Sequence, residues 1–254
     1  MITVDFNRID LKQGSKILDI GCGEGRHTAK AWEYPDVFCV GSDRCYKDLI
    51  KSKIKLELHE KFINSIVSSD RLPNSKANTT SKWVLCSSDI TNLPFCDNSF
   101  DVVICSEVLE HIQDETKALR ELKRVLKVGG ELAVSVPRYL PEKICWRLSK
   151  EYCTSEGGHI RIYKKSQLIK KLTQFGFEFN FSHYAHSIHT PFWWLKCLIG
   201  LNSNGYGFGS KIINLYHRLL VWDIMQKPFI TRFIDHLLNP IIGKSLVIYL
   251  TSTR

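Results

Sequence analysis

Lys16-Ile17-Leu18-Asp19-Ile20-Gly21-Cys22-Gly23-Glu24-Gly25-Arg26-His27-Thr28 is the stretch whose reading decides the fold. Apolar residues around one aspartate lead into Gly-x-Gly-x-Gly, and a helix-compatible run follows. The pattern predicts a buried parallel strand, a sharp turn, and a helix whose first N–H groups lack intrahelical partners and face a ligand. Glycine lets the backbone approach a bound molecule and take positive φ. A dinucleotide fingerprint needs G-x-G-x-x-G. Here Arg26 stands at the third position and Gly25 comes one residue early.

Working outward, Val37–Gly41, Trp83–Cys86, Phe100–Cys105 and Glu131–Val136 are further short apolar runs. Arg26–Tyr34, Lys47–Ser68 and Asp114–Lys127 have helical spacing, and Gly129-Gly130 reads as the stop of the third helix. Residues 70–81, rich in Asn, Ser and Thr, read as a surface loop. Lys165–Phe175 reads as a helix, with Phe177–Ser182 and Ser245–Leu250 as two last strands. Strands that are nearly continuous apolar runs, alternating with helices, predict an α/β fold with a doubly wound, mostly parallel seven-stranded sheet. Ligands in such sheets sit beyond the carboxyl ends of the strands. The glycine turn, Asp43, Asp89 and Ser106 all fall there.

Composition bounds the rest. The 254 residues, 44% hydrophobic, suffice for one sizeable core. Met1–Phe6 lacks a signal-peptide pattern, and no stretch is long and apolar enough to span a bilayer. Nine cysteines, an odd number without a Cys-x-x-Cys, fit buried thiols in a reducing cytoplasm rather than disulfides or zinc. The net charge of +9 favours an anionic partner or serves solubility alone.

The glycine block resembles the first motif of the class I S-adenosylmethionine (SAM)-dependent methyltransferases. That resemblance implies a Rossmann-like fold with an antiparallel last strand. It assigns Asp19, Gly21, Cys22 and Gly23 to the methionine part of SAM, Asp43 to the ribose, Asp89 and Ile90 to the adenine, and Arg44 to the cofactor without a stated part. The alternative for both Asp43 and Asp89 is a turn cap. Leu93-Pro94-Phe95, Asp97–Asp101 and Ser106-Glu107-Val108-Leu109-Glu110-His111-Ile112 are similar to methyltransferases of the quinone-biosynthesis type. The likeness runs continuously over residues 16–136 and implies that Ser106 flanks SAM.

Methyl transfer from a sulfonium needs alignment, exclusion of water and sometimes a proton acceptor, for which histidine suits neutral pH. His159, within residues 156–163, and His111 are the candidates; Arg161 and Tyr163 would orient substrate or else only anchor their loop. Residues 138–164 are expected to form a substrate-side loop. His183, His186 and His189 form H-x-x-H-x-x-H, but a strand turns the middle ring away and no acid or thiol stands near, so no metal is assigned. Residues 190–243 interrupt the last two strands with an aromatic-rich helical insertion. Trp193 and Trp194 are its candidate substrate contacts, and Asn202–Gly209 reads as a loop. Between Thr190 and Gly243 five Lys/Arg face two Asp/Glu, and Phe229, Phe233 and Leu237 share one helix face. A lid, a peripheral contact with the inner membrane face, or a packed cap and dimer contact all fit.

The expectation is a cytoplasmic, single-domain SAM-dependent methyltransferase, monomer or homodimer, acting on a small apolar acceptor such as a quinone, phenol, lipid or secondary metabolite. The rivals are a tRNA or rRNA methyltransferase and a non-catalytic SAM-binding scaffold. Dispersed Lys/Arg and no evident RNA-binding domain disfavour nucleic acid.

Overall fold

The computed structural model describes residues 1–68, 82–154, 158–200, 208–226 and 228–254. The loop expected over 70–81 lies outside the described residues, as do 202–207 of the Asn/Gly segment. Seven strands form one sheet: β1 (Lys16–Ile20), β2 (Phe38–Asp43), β3 (Lys82–Ser87), β4 (Phe100–Ser106), β5 (Leu126–Pro137), β6 (Phe177–Ala185) and β7 (Ser245–Ser252). Their spatial order is β3-β2-β1-β4-β5-β7-β6. The first five strands pair in parallel, whereas β7 runs antiparallel to both β5 and β6. The chain order reverses between β1 and β4, which opens a crevice at the strands' carboxyl ends.

Period-two alternation divides the central strands between two cores. Leu18, Val103, Cys105, Leu132 and Val134 face one layer, which includes Leu119 and Leu122 of α3 (Glu115–Val125) and Leu168 and Leu172 of α6 (Lys165–Gln174). Ile17, Cys39, Val102, Ile104 and Ala133 face the other, against Ala31 and Trp32 of α1 (Arg26–Trp32) and the lead-in residues Val4 and Phe6. Double-sided burial explains why these strands read as unbroken apolar runs. All nine cysteines are free thiols.

Three expectations need correction. Gly129-Gly130 does not end α3: Asp114 caps its start by accepting from Lys117 N, and the chain turns extended at Leu126. Gly129, at φ 78°, instead sits in the irregular start of β5, where the register against β4 shifts. Residues 138–164 are not a plain loop, because α4 (Tyr139–Leu148) and α5 (Lys150–Thr154) occupy most of their first half. Phe208 and Gly209, assigned to the Asn/Gly loop, already open a helix.

α2 (Tyr46–Ser68) joins β2 to the segment before β3. Between β6 and β7 come α7 (His189–Ile199), α8 (Phe208–Gln226) and α9 (Phe229–Ile242). Trp194 Nε1 donates to Pro141 O at 3.1 Å and so pins α7 to α4. Asp235 Oδ1 accepts from Ser187 Oγ and Ile188 N, tying α9 to the entry of α7. Arg138 donates to Asn239 O and Pro240 O and stacks on Tyr184.

Candidate functional site

The loops after the first three strands are hydrogen-bonded to one another. Cys22 N donates to Ser42 O at 3.0 Å, Gly23 N to Asp43 Oδ2 at 2.8 Å, and Ser88 N to Asp43 O at 3.2 Å. The Ser42 and Ser88 hydroxyls also meet. Asp43 thus braces the glycine turn with one oxygen while the other accepts from Cys45 N at 2.7 Å. Exposed Arg44 acts electrostatically on Asp89.

The glycines are required by space as well as by dihedral angle. A Cβ on Gly21 would lie 2.3 Å from Val108 Cγ2, and one on Gly25 would lie 2.2 Å from Ser52 Oγ. At Gly23, φ 50°, a Cβ would meet nothing within 4 Å. Gly23 therefore answers to its dihedral angle and not to a packed neighbour. Asp19 is 2% exposed. Its Oδ2 accepts from Thr28 N at 2.9 Å and from Thr28 Oγ1 at 2.7 Å, while Oδ1 has no partner. Burial pushes its carboxyl up to about 7, against the pull of the two Thr28 hydrogen bonds.

Asp89 uses Oδ1 to close a turn, accepting from Thr91 N and Thr91 Oγ1 at 2.8 Å each, and these bonds lower its pKa. Ile90 is buried in the main core. Ser106 meets Ser135 Oγ at 2.8 Å, and Ser135 Oγ donates to Glu107 Oε1 at 3.0 Å. Glu107 has φ 56°, a left-handed backbone at the very end of β4.

A second group of side chains gathers past β4 and β5. His111 Nδ1 lies 3.2 Å from Gly158 O, and His159 Nδ1 lies 2.5 Å from Glu142 Oε1. The two rings are 5.0 Å apart, and Tyr152 bridges edge-on from His159 to Trp193. Glu142, on α4 and buried, also accepts from Trp146 Nε1 and Tyr152 Oη. Burial lowers the His111 pKa, with His159 as the next cause.

Arg161 and Tyr163 anchor their loop instead of reaching this group. Arg161 donates to Leu109 O and Gln113 O and pairs with Glu115 at 3.4 Å; Tyr163 Oη donates to Glu115 Oε2 at 2.6 Å. Trp194 faces α4, while Trp193 lies under Lys196 and Lys244. Glu110, Glu142 and Tyr152 were missed from sequence. Among the described residues H-x-x-H-x-x-H does not gather as a ligand set: His183 stacks on Tyr249, and His186 packs against His189.

The strand order, the glycine turn at the end of β1 and the acid at the end of β2 match the pattern of the class I SAM-dependent methyltransferases that the sequence resembles. The methyltransferase domain family matches residues 18–134. Methyltransferase GfsG of Streptomyces halstedii is 28% identical over 151 residues, covering 59% of this chain and 48% of that protein. Demethylmenaquinone methyltransferase of Corynebacterium glutamicum is 34% identical over 128 residues, covering 50% and 44%. The matched region thus spans about half the length of these curated relatives. A crystal structure of a putative methyltransferase from Bacillus halodurans shares the fold, with TM-score 0.59 and 19% identity over 98% of this chain and 97% of that one.

Proposed function

We propose that the protein transfers a methyl group from SAM to a small, largely apolar acceptor. The observation that carries this reading is the mutual bracing of the loops after β1, β2 and β3 around an open glycine turn. Asp19 Oδ1 is the unpaired acceptor an ammonium would meet, directly or through water. Asp43 keeps lone pairs for a ribose diol, and the first N–H groups of α1 lie behind the turn. When bound, SAM supplies a sulfonium methyl whose displacement leaves a neutral thioether. His111 and His159 stand as proton acceptors beyond β4, with Glu142 fixing the His159 tautomer so that Nε2 keeps its lone pair. Tyr152 and Trp193 supply an aromatic wall next to these rings. The two curated relatives, one named for demethylmenaquinone, support a small-molecule acceptor. Labelled SAM incubated with an organic extract should yield one labelled, extractable product. Labelled RNA in place of it would move the assignment to a nucleic-acid methyltransferase, and SAM binding without any product would move it to a scaffold.

The insertion supports a peripheral membrane contact. Leu215 is 69% exposed, Met225 72% and Phe229 84%, with Phe233, Leu237 and Ile241 continuing the apolar face of α9. Arg218 lines the same hollow as Leu215 and Trp222 on α8. Exposed large apolar side chains at this density on two successive helices exceed what a solvated surface ordinarily leaves bare. No helix among the described residues is long and apolar enough to cross a membrane. Co-flotation with anionic vesicles, lost on Phe229→Asp with Phe233→Asp, tests the contact; dimerisation without flotation would make the face a subunit interface.

A further inference from the structure

α8 carries a single acid, Asp223, and turns it inward while Leu215, Trp222 and Met225 stand in solvent. Asp223 is 8% exposed, and among the described residues its buried Oδ1 has no hydrogen-bond partner. A buried carboxylate oxygen without a donor destabilises the fold that holds it. His186, in the turn between β6 and α7, leaves its buried Nε2 unpartnered in the same way. Its backbone takes φ 65°, a left-handed conformation that a residue with a side chain adopts only under strain. The turn holds it there: Asn239 Oδ1 accepts from Ser187 N, and His189 N donates to His186 O.

Both residues line one hollow of about 580 Å³, a volume that suits a small ligand. The lead-in residues, α1, α8 and α9 enclose it, and Ile2, Val4, Phe6 and Ile224 give it an apolar wall. It shares no side chain with the glycine turn or with the group around His111 and His159. The other acids on its wall are already paired. Asp5 accepts from Asn7 N and meets Arg8, Glu33 meets Lys30, and Asp235 accepts from Ser187 and Ile188. Arg26 and Arg232 also line the hollow, but both are exposed, so water meets their charge. His189, held down at about 4 by burial against the opposing pull of Asp235 and Asp223, packs on His186 with ring centroids 5.8 Å apart. Asp223 and His186 thus both lie near His189, and the unmet demand inside the hollow is for hydrogen-bond donors.

We propose that this hollow binds a small amphiphilic amine, its ammonium donating to Asp223 Oδ1 and His186 Nε2 and its apolar part lying on the wall. The His186 ring then carries its own proton on Nδ1. A carboxylate bonded to an ammonium is a charge-assisted pair, and it strengthens where water is excluded. A primary or secondary ammonium brings two or three donors, enough for both acceptors, whereas a lone hydroxyl brings one. An anionic ligand is disfavoured, since its charge would face the unpaired carboxylate. Binding there makes and breaks no covalent bond and needs no SAM, so it holds whether or not the methyl-transfer reading does.

The test titrates the full chain with n-hexylammonium, 1-hexanol and hexanoate, followed by ligand-detected NMR. The expected result is one saturable site for hexylammonium, at least about tenfold tighter than for 1-hexanol, with no competition from hexanoate. Asp223→Asn should abolish that preference and leave the thermal midpoint unchanged or higher, because it removes a buried charge that has no partner. Phe233→Asp, on the exposed face of α9, should leave the preference intact; its loss there would move the binding to that face and overturn the inference. Equal affinity for amine and alcohol, or a preference that survives Asp223→Asn, overturns it too. So does a lowered midpoint in that variant, which would give the carboxylate a partner within the protein. Calorimetric SAM binding on the same samples reports separately on the methyltransferase reading.

Discussion

Lowering the pH from about 8 to about 6 should weaken SAM binding roughly tenfold, and Asp19 is the reason. In the free protein its carboxyl is held at about 7, chiefly by burial. At about pH 6 some nine-tenths of the molecules therefore carry it protonated, whereas at about pH 8 most carry it charged. An ammonium next to Oδ1 selects the charged form, so binding expels a proton wherever the free protein holds one. The loss is about 1.4 kcal/mol for each unit below the free-state pKa. Calorimetry in buffers of contrasting ionisation enthalpy would measure both the affinity and the protons released. Asp19→Asn keeps the shape and the Thr28 contact but has no charge to lose, so its affinity should be lower and nearly flat with pH. A flat wild-type profile, or an unaltered slope in the Asn variant, would refute the role given to this carboxylate.

Other perturbations have equally definite expectations. Asp43→Ala removes the acceptor of Gly23 N and Cys45 N; it should reduce SAM affinity about a hundredfold yet cost only about 1–2 kcal/mol of stability in denaturant unfolding. Gly25→Ala places a Cβ 2.2 Å from Ser52 Oγ at φ 76° and should destabilise the fold by about 2 kcal/mol or more, seen as a shifted urea midpoint at unchanged slope. His27, buried and accepting from Thr3 N and Val4 N, is held down at about 4 by burial. The unfolded ring takes up its proton near pH 6.5, so stability should fall, by up to about 3 kcal/mol, as pH drops from 6.5 to 4. His27→Gln should flatten thermal-melt profiles across that window.

How much was legible depends on what each residue answers to. Strands buried on both faces announce themselves, and β1, β2 and β4 fall within a residue or two of their apolar runs. The meeting of the loops after β1, β2 and β3 was legible because strand ends are places in the chain as well as in space. Gly129-Gly130 misled because paired glycines after a basic turn suit a helix stop and a strand irregularity alike. α4 was hidden by Pro141, which sits in its first turn, where proline is tolerated. Arg161 and Tyr163 could not be placed, since their partner Glu115 lies far away in sequence and only folding brings it near. The Glu142–His159 pairing left no trace for the same reason.

Where β7 lies has a consequence for assembly. It occupies the slot between β5 and β6, yet a ribosome makes β6 first and then residues 186–244 before β7 emerges. Until then β6 has no neighbour to pair with, and one flank of β5 stays unzipped. The nascent chain must therefore hold a half-built sheet open, its apolar helices already synthesised and in need of cover. Early quality control, by chaperone or by membrane, would find its target in that waiting period.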